Sequence, residues 1–188
     1  MTSFIKVNTF QDANGNALFS SDGSGTVTLD SNFSGVLPDN TPAFEAYLGS
    51  NASPSNDVWT KMAANIEIYD TDNAFDNSTN YRFTPQVAGK YFVYVGAQSL
   101  SVNNMYSTGV NFTKNGSAYK QATFQNGTNA SYPLNYLNPV ASGVVDLNGS
   151  TDYIEANIIV QTHSGGSITL KGGSEKYTYF GAYRLIGA

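Results

Sequence analysis

The sequence has no cysteine, a single histidine and no long apolar run, and each absence excludes a class of function. Without cysteine the chain has neither a disulfide framework nor a thiolate that could bind a metal or attack a substrate. Its apolar runs are shorter than the ~18 residues that a membrane-spanning helix needs. The opening residues 1–8 also lack the apolar core of a signal peptide. We therefore expect a chain that is made in a cytoplasm and is not inserted in a membrane.

Charge is scarce as well. Charged residues make up 12% of the chain, about half of the usual ~25%, and Asn, Ser, Thr and Gly fill the polar positions instead. The formal net charge is −5. Nucleic-acid binding depends on clustered Lys and Arg that neutralise phosphates, and the sequence shows no such cluster. We expect no nucleic-acid partner.

The sequence offers no catalytic constellation. Its one histidine, His163, precedes a Ser-Gly-Gly turn, and a single histidine cannot form a multi-histidine metal site or an acid/base pair. Ser24 lies between two glycines in a turn, without the strand-turn-helix context of a nucleophilic serine. The four glutamates are scattered, and no pattern pairs them for glycoside hydrolysis. We predict no enzymatic activity and no catalytic residues.

One acidic segment could bind a metal. Asp70, Asp72 and Asp76 supply alternating oxygen donors within seven residues, and such donors suit a hard cation such as calcium. The glycine and the distal glutamate of a helix-loop-helix calcium site are missing, and a solvated acidic loop is the alternative. The sequence thus gives one metal hypothesis, calcium at these three aspartates, and no other cofactor.

Residues 1–40 differ from the rest of the chain. Short extended pieces alternate with two turn sequences, Asp12–Asn16 and Ser21–Gly25. The few apolar residues between these turns cannot bury a core by themselves. The segment is therefore either a disordered tail or an attachment arm that orders by docking on a neighbouring protein.

Residues 41–188 are dense in strand patterns, with large aromatics and β-branched residues throughout. Gly89–Leu100 predicts a central strand covered on both faces, and Asn115-Gly116 predicts a hairpin with a primed turn. In 58–69 the alternation at Ile66 and Ile68 suits a half-buried strand, while Trp59, Met62 and Ile66 would also suit one face of a helix. The remaining strands are predicted at 42–48, 108–113, 118–124, 140–147, 153–161 and 177–186. Eight or more short strands in about 145 residues indicate a sandwich.

From Pro42 to Ala188 the chain resembles the globular head of the complement q-subunit family, a trimeric jelly roll shared in outline with the tumour necrosis factor family. Residues 81–92, Tyr-Arg-Phe-Thr-Pro-Gln-Val-Ala-Gly-Lys-Tyr-Phe, are similar to the entry of that family's core strand. Three further features follow the family order: the opening at 42–48, the hairpin at 112–116 and the closing aromatic-glycine strand at 179–185. A collagen-like stalk is absent.

The resemblance implies an all-β fold, a ten-strand-type jelly-roll sandwich with an extended N-terminal arm. We divide the chain into an attachment arm, 1–40, and a jelly-roll head, 41–188. The family packs three heads around an axis lined with aromatics, so we expect a homotrimer in which some of the thirteen tyrosines lie at the interface. Loops near 70–80, 101–107, 125–138 and 163–176 would be offered to a host-surface glycan or protein.

The N-terminal segment resembles the opening of small virion proteins of marine tailed phages, through Lys6-Val7-Asn8-Thr9 followed by Asp-x-x-Gly-Asn and Asp-Gly-Ser-Gly-Thr-Val-Thr-Leu. This implies a protein of the virion surface, assembled in the host cytoplasm and bound to capsid or tail proteins through residues 1–40. It would be either a capsid decoration protein or a short tail-fibre tip for host attachment. The alternative is a soluble or secreted bacterial glycan-binding matrix protein.

Overall fold

The structure is a computed structural model of the chain, and it describes residues 8–29, 39–126, 134–163 and 166–187. The chain divides into two compact units, residues 1–39 and 40–188. Throughout the described ranges the secondary structure is strand and turn. In these ranges no helix is long or apolar enough to cross a bilayer.

The first unit contains a three-stranded antiparallel sheet of strands β1 (Thr9–Gln11), β2 (Ala17–Ser21) and β3 (Val27–Leu29). The turns between the strands form as predicted, because an aspartate carboxylate accepts backbone N–H bonds within each. Asp12 accepts from Asn14 and Asn16, and Asp22 accepts from Ser24 at 2.8 Å and from Thr26. The described part of this unit is therefore a folded sheet, and the disordered-tail alternative is wrong for residues 8–29.

The second unit is a two-sheet sandwich. One sheet has five strands: β4 (Ala43–Tyr47), β6 (Ile66–Asp70), β9 (Gly89–Gly96), β13 (Val140–Leu147) and β16 (Tyr179–Arg184). Their order across the sheet is β13-β9-β16-β4-β6.

The other sheet has eight strands: β5 (Thr60–Lys61), β7 (Phe75–Asp76), β8 (Arg82–Phe83), β10 (Ser99–Lys114), β11 (Ser117–Gln125), β12 (Leu134–Leu137), β14 (Ile154–Thr162) and β15 (Thr169–Leu170). Five of them follow the order β11-β10-β14-β8-β7. Strands β12 and β15 pair with β10, and β5 pairs with β14.

The core lies between the two sheets and is filled mainly by alternate residues of β9, β13 and β14, as the period of two requires. Its densest part is a phenylalanine cluster in which the ring of Phe44 stacks on Phe75 at 4.4 Å and on Phe83 at 4.6 Å. Phe180 meets Phe44 edge-on at 5.0 Å. Since Phe44 and Phe180 come from the five-stranded sheet and the other two from the eight-stranded sheet, these rings join the layers.

The predicted hairpin is confirmed. Strands β10 and β11 pair around Asn115 and Gly116, which have φ values of 51° and 78°. Two consecutive left-handed residues form the primed turn that matches strand twist, and Asn-Gly is the sequence that adopts it most readily. The hairpin places β11 at one edge of the eight-stranded sheet.

Three predictions made around this core are wrong. Residues 101–107 are not a loop but part of β10, where Ser101 and Ser107 are buried. Their polar composition suggested a loop, but Met105 pairs with both β12 and β14, and Ser107 pairs with β14. Gly89–Leu100 is not one strand covered on both faces, because β9 ends at Gly96 and its outward residues Phe92 and Tyr94 are only half-buried.

The third error concerns residues 58–69. They form no helix: Thr60 and Lys61 pair with β14, and Met62 enters the core. The strand predicted at Ile66 and Ile68 exists as β6, but it is an edge strand with exposed residues rather than a half-buried one. Of the predicted loops, 127–133 and 164–165 lie outside the described residues.

Candidate self-association face

The outward surface of the five-stranded sheet is apolar and aromatic. Strand alternation buries Tyr91, Val93 and Val95 of β9 in the core and turns Phe92 and Tyr94 outward. Residues at the same outward positions of the neighbouring strands extend this surface. We call these side chains the aromatic face: Tyr47, Ile66, Tyr69, Phe92, Tyr94, Val140, Val144, Tyr179 and Tyr183.

Glycines on adjacent strands let the rings lie against the sheet. Tyr179 is paired with Gly96, and Tyr94 with Gly181. A methyl group added at Gly96 would overlap the ring of Tyr179, and one added at Gly181 would overlap the ring of Tyr94. Each tyrosine thus covers a backbone position that has no side chain, which makes a smooth surface from large residues.

The rings form a continuous strip. Phe92 lies 5.5 Å from Tyr183 and 6.3 Å from Tyr94, and Tyr94 lies 6.2 Å from Tyr179, measured between ring centroids. These separations fall within the range in which aromatic pairs attract each other. The strip crosses from β9 to β16, which are neighbours in this sheet.

A hydrogen-bonded cluster lies within the strip. The hydroxyl of Tyr94 donates to Oε2 of Glu45 at 2.7 Å. Burial raises the pKa of Tyr94 well above its usual value, and hydrogen bonds with Glu45 and Tyr69 act in the same direction. The hydroxyl therefore keeps its proton at neutral pH, and the cluster adds hydrogen-bonding groups to the strip of rings.

The rim of this face is exposed. Ile66, Ile68 and Tyr69 on β6 and Val140 and Val144 on β13 are between 38% and 51% accessible. Contiguous apolar surface of this kind marks an interaction site in a water-soluble fold. With few charged side chains among these rings, the arrangement suits burial against another protein surface.

The sequence predicted that some tyrosines lie at an interface but did not identify them, and it missed the aliphatic residues at the rim. Strand alternation could have indicated Val140 and Val144. They lie four residues apart, and therefore on one face of the strand, whereas Ala141 and Val145 on the other face are buried. That parity depends on which face of the strand meets the core, and the alternation alone does not say which.

The three aspartates of the calcium hypothesis bond mainly to their own loops. Asp70 accepts the backbone N–H of Phe75 at 2.8 Å, and Asp72 accepts the hydroxyl of Thr71. Backbone N–H groups, that of Thr79 foremost, hold the pKa of Asp76 well below its usual value. Within the ranges that the structure describes, no three acidic or histidine side chains come together as a metal site. Calcium binding at these residues stays a prediction.

The other singled-out polar residues are also placed. His163 lies against the ring of Tyr106 at 4.8 Å, and its Nε2 is buried without a hydrogen-bond partner in the described residues. Ser24 donates its hydroxyl to Asp22 in an exposed turn. Glu155 pairs with Lys61 at 2.6 Å.

Comparison with known proteins bears on the fold. No protein-family model matches the chain, and no curated protein matches it. Among solved structures, murine APRIL at pH 5.0 has a TM-score of 0.52 at 13% identity over 76% of this chain and 98% of its own. Eiger TNF from S. frugiperda has a TM-score of 0.51 at 14% identity, over 80% and 96%. The globular domain of zebrafish complement 1qA protein reaches 0.47 at 12% identity, over 77% and 98%.

The first two likenesses show the fold. The second unit shares the two-sheet jelly roll of tumour necrosis factor-type proteins, and the predicted all-β jelly-roll fold is confirmed.

Proposed function

We propose that this protein is a non-enzymatic display head that assembles as a homotrimer through the aromatic face. The observation that carries the proposal is the face itself, a strip of rings laid over glycines with exposed Ile and Val at its rim. Burying apolar area is worth roughly 25 cal/mol per Å², so an interface of standard size gains substantially from such residues. Tyrosine suits this role because it combines large area with a polar tip.

The threefold stoichiometry rests on the family resemblance and on the shared jelly roll. A closed rotational arrangement buries the same face on every copy and leaves none exposed. Equilibrium sedimentation of the full chain tests it. We expect a mass three times the 20.1 kDa of the chain. A mass of one chain, constant up to high micromolar concentration, would contradict the proposal.

We further propose that the trimer stands on the surface of a phage virion, as a capsid decoration protein or as a short tail-fibre tip for host attachment. The resemblance of the N-terminal segment to small virion proteins supports this location. In that role the first unit binds a capsid or tail protein and the jelly-roll unit is displayed.

Cryo-electron microscopy of purified particles tests the location. Trimeric knobs on the capsid lattice would identify a decoration protein, and copies at the tail would identify an attachment component. Absence of the protein from particles would reject the virion role. Glycan binding by the free protein would then support a bacterial glycan-binding matrix protein.

A further inference from the structure

The outward surface of the eight-stranded sheet carries side-chain amides at matching positions on three adjacent strands. These residues, which we call the amide face, are Gln121 and Gln125 on β11, Asn111 on β10, and Asn157 and Gln161 on β14. Asn111 is paired with Gln121 on one side and with Asn157 on the other. The amides therefore form one complete row across the sheet, Gln121-Asn111-Asn157, and part of a second row, in which Ser107 lies between Gln125 and Gln161.

Some of these amides are fixed and others are free. Nδ2 of Asn157 donates to Oδ1 of Asn111 at 3.0 Å, and Asn111 is 5% exposed although it lies on the outward side of the sheet. Gln121 and Gln125 are exposed, and their side chains make no hydrogen bond to any residue that the structure describes. An amide offers two donors and an acceptor. The edge strand thus presents unused hydrogen-bonding groups beside a pre-ordered polar surface.

The surroundings of the amide face are electrically balanced. Lys61 pairs with Glu155 at 2.6 Å, and Arg82 lies over the ring of Tyr153 at 4.6 Å. Asp57 accepts a hydrogen bond from Gln161. Acidic and basic side chains therefore both border this surface, in a chain of net charge −5. A ligand of high charge gains little here, because electrostatic recognition needs complementary charge.

Trp59 comes immediately before β5, which pairs with the amide-bearing strand β14. Thr60 pairs with Ile158 and Lys61 with Asn157, so continuing this register by one residue sets Trp59 opposite Ile159. Ile159 occupies the outward position between the two amide-bearing residues of β14, and Trp59 is 39% exposed. A flat indole next to rows of amides offers both an apolar platform and hydrogen-bonding groups.

We propose that the amide face binds a neutral, hydroxyl-rich polysaccharide. Sugar rings present an apolar C–H side and a rim of hydroxyls. Gln121 and Gln125 hydrogen-bond the hydroxyls, and Trp59 packs against a ring. The site goes beyond the proposed self-association and is independent of it, because it lies on the opposite sheet from the aromatic face.

Trp59 is the only tryptophan of the chain, so its fluorescence reports binding at this place. The probes are a soluble β-1,3-glucan, an α-mannan and a galactan, with the polyuronate alginate as the charged comparison. We expect at least one neutral polysaccharide to shift the Trp59 emission, to protect it from acrylamide quenching and to retard the protein in a native affinity gel. Alginate should do none of these.

The variant pair Gln121→Ala/Gln125→Ala tests the residues. Losing two hydrogen bonds should weaken binding by roughly 5- to 160-fold. Gln86→Ala is the matched control, because Gln86 is an exposed glutamine on a turn whose side chain bonds only to Thr84 in the described residues. It should leave the affinity unchanged.

Three results would overturn the proposal: no response to any neutral polysaccharide, a response to alginate alone, or unchanged affinity in the double variant. Sedimentation of the same samples separates this test from the proposed assembly. Loss of polysaccharide binding in a protein that keeps its trimeric mass would localise binding to the amide face, while the trimer claim stands or falls by that mass.

Discussion

The two outward faces of the sandwich differ although the strands beneath them are built alike. Strand β9 buries Val93 and Val95, and β14 buries Ile158 and Val160, so the inward halves are equally apolar. Outward, β9 carries aromatics and β14 carries amides. Because strand alternation sends every second residue away from the core, the core requirement leaves these outward positions open. Their composition therefore reports what is expected to cover each face.

Glycine is used on both faces. On the aromatic face Gly96 and Gly181 lie beneath tyrosine rings. On the amide face, the side chains of Thr123 and Ile159 close over Gly109, with the Thr123 hydroxyl nearest. On both faces a glycine leaves room for the side chain of a neighbouring strand. The covering side chains are tyrosine rings on the aromatic face and include the Thr123 hydroxyl on the amide face. This difference supports the two proposals, burial of the aromatic face against further copies of the chain and contact of the amide face with a hydrated ligand.

The largest expected effect comes from truncating a side chain in the hydrophobic core, which lies between the two faces. Phe44→Ala deletes the centre of the phenylalanine cluster, where Phe44 is fully buried. Such truncations cost about 3–5 kcal/mol. We expect a correspondingly lower urea midpoint, with assembly and polysaccharide binding weakened together. The control Phe124→Ala removes a ring that is 52% exposed and should cost little. Equal losses in the two variants would contradict this account of the core.

A lysine on one face at a time separates the two roles. Val144→Lys places a charge at the rim of the aromatic face, and Thr123→Lys places it on the outward side of β11. An unpaired charge in a buried interface costs about 3 kcal/mol, or roughly 100-fold in association. Sedimentation should show monomers for Val144→Lys and trimers for Thr123→Lys. Monomers in both variants, or trimers in both, would contradict the prediction that only the aromatic face mediates assembly.

Alkaline pH is expected to lower the free energy of unfolding through Tyr91, which is buried in the core between the two faces. Burial raises the pKa of Tyr91 to about 12, from about 10 in an unfolded chain. Between these values the unfolded state has lost the phenolic proton that the folded state retains, so stability is fully present below pH 10 and falls towards pH 12. The loss is at most about 3 kcal/mol.

Urea unfolding between pH 9 and 12 measures this slope. Tyr91→Phe should reduce it, because the substitution removes the buried hydroxyl that donates to the backbone oxygen of Val87 at 2.6 Å. Tyr136→Phe, at a position 58% exposed, should leave the slope unchanged. An identical slope in the parent and in Tyr91→Phe would show that Tyr91 is not the group responsible.

The smallest effect is expected from the glycines of the aromatic face. In Gly181→Ala the new methyl group displaces the ring of Tyr94, which then loses its hydrogen bond to Glu45. Overpacking of this kind costs about 1–3 kcal/mol, and we expect the low end because the displaced group is the outer end of a side chain. A thermal melt checks the stability, and near-ultraviolet circular dichroism checks the tyrosine environment. An unchanged tyrosine spectrum would contradict the described contact.

Local features of the chain were predictable, and features that depend on distant pairing were not. The turn at Asn115-Gly116 was predictable because only a few residue types adopt consecutive positive φ values. Residues 101–107 were mistaken for a loop because the burial of Met105 and Ser107 depends on β12 and β14, which follow far along the chain. The sandwich itself could be predicted from strand spacing and from family resemblance.

The candidate sites were harder to predict for the same reason. The sequence shows the oxygen donors of Asp70 and Asp76 but not the backbone N–H groups that occupy them. It shows thirteen tyrosines, but whether Tyr91 or Tyr94 points outward depends on which side of β9 meets the core. The amide rows appear only when the register of β10 with its neighbours is known.

Hydroxyl-radical footprinting of the full chain tests the contrast between the faces most directly. If copies assemble through the aromatic face, Tyr94, Tyr183 and Val144 are protected from hydroxyl radicals in the native protein. In the variant Val144→Lys, Tyr94 and Tyr183 become reactive. Tyr136 should react equally in both proteins. Equal reactivity of Tyr94 and Tyr183 in the parent and in the variant would contradict the claim that this face is covered by further copies of the chain.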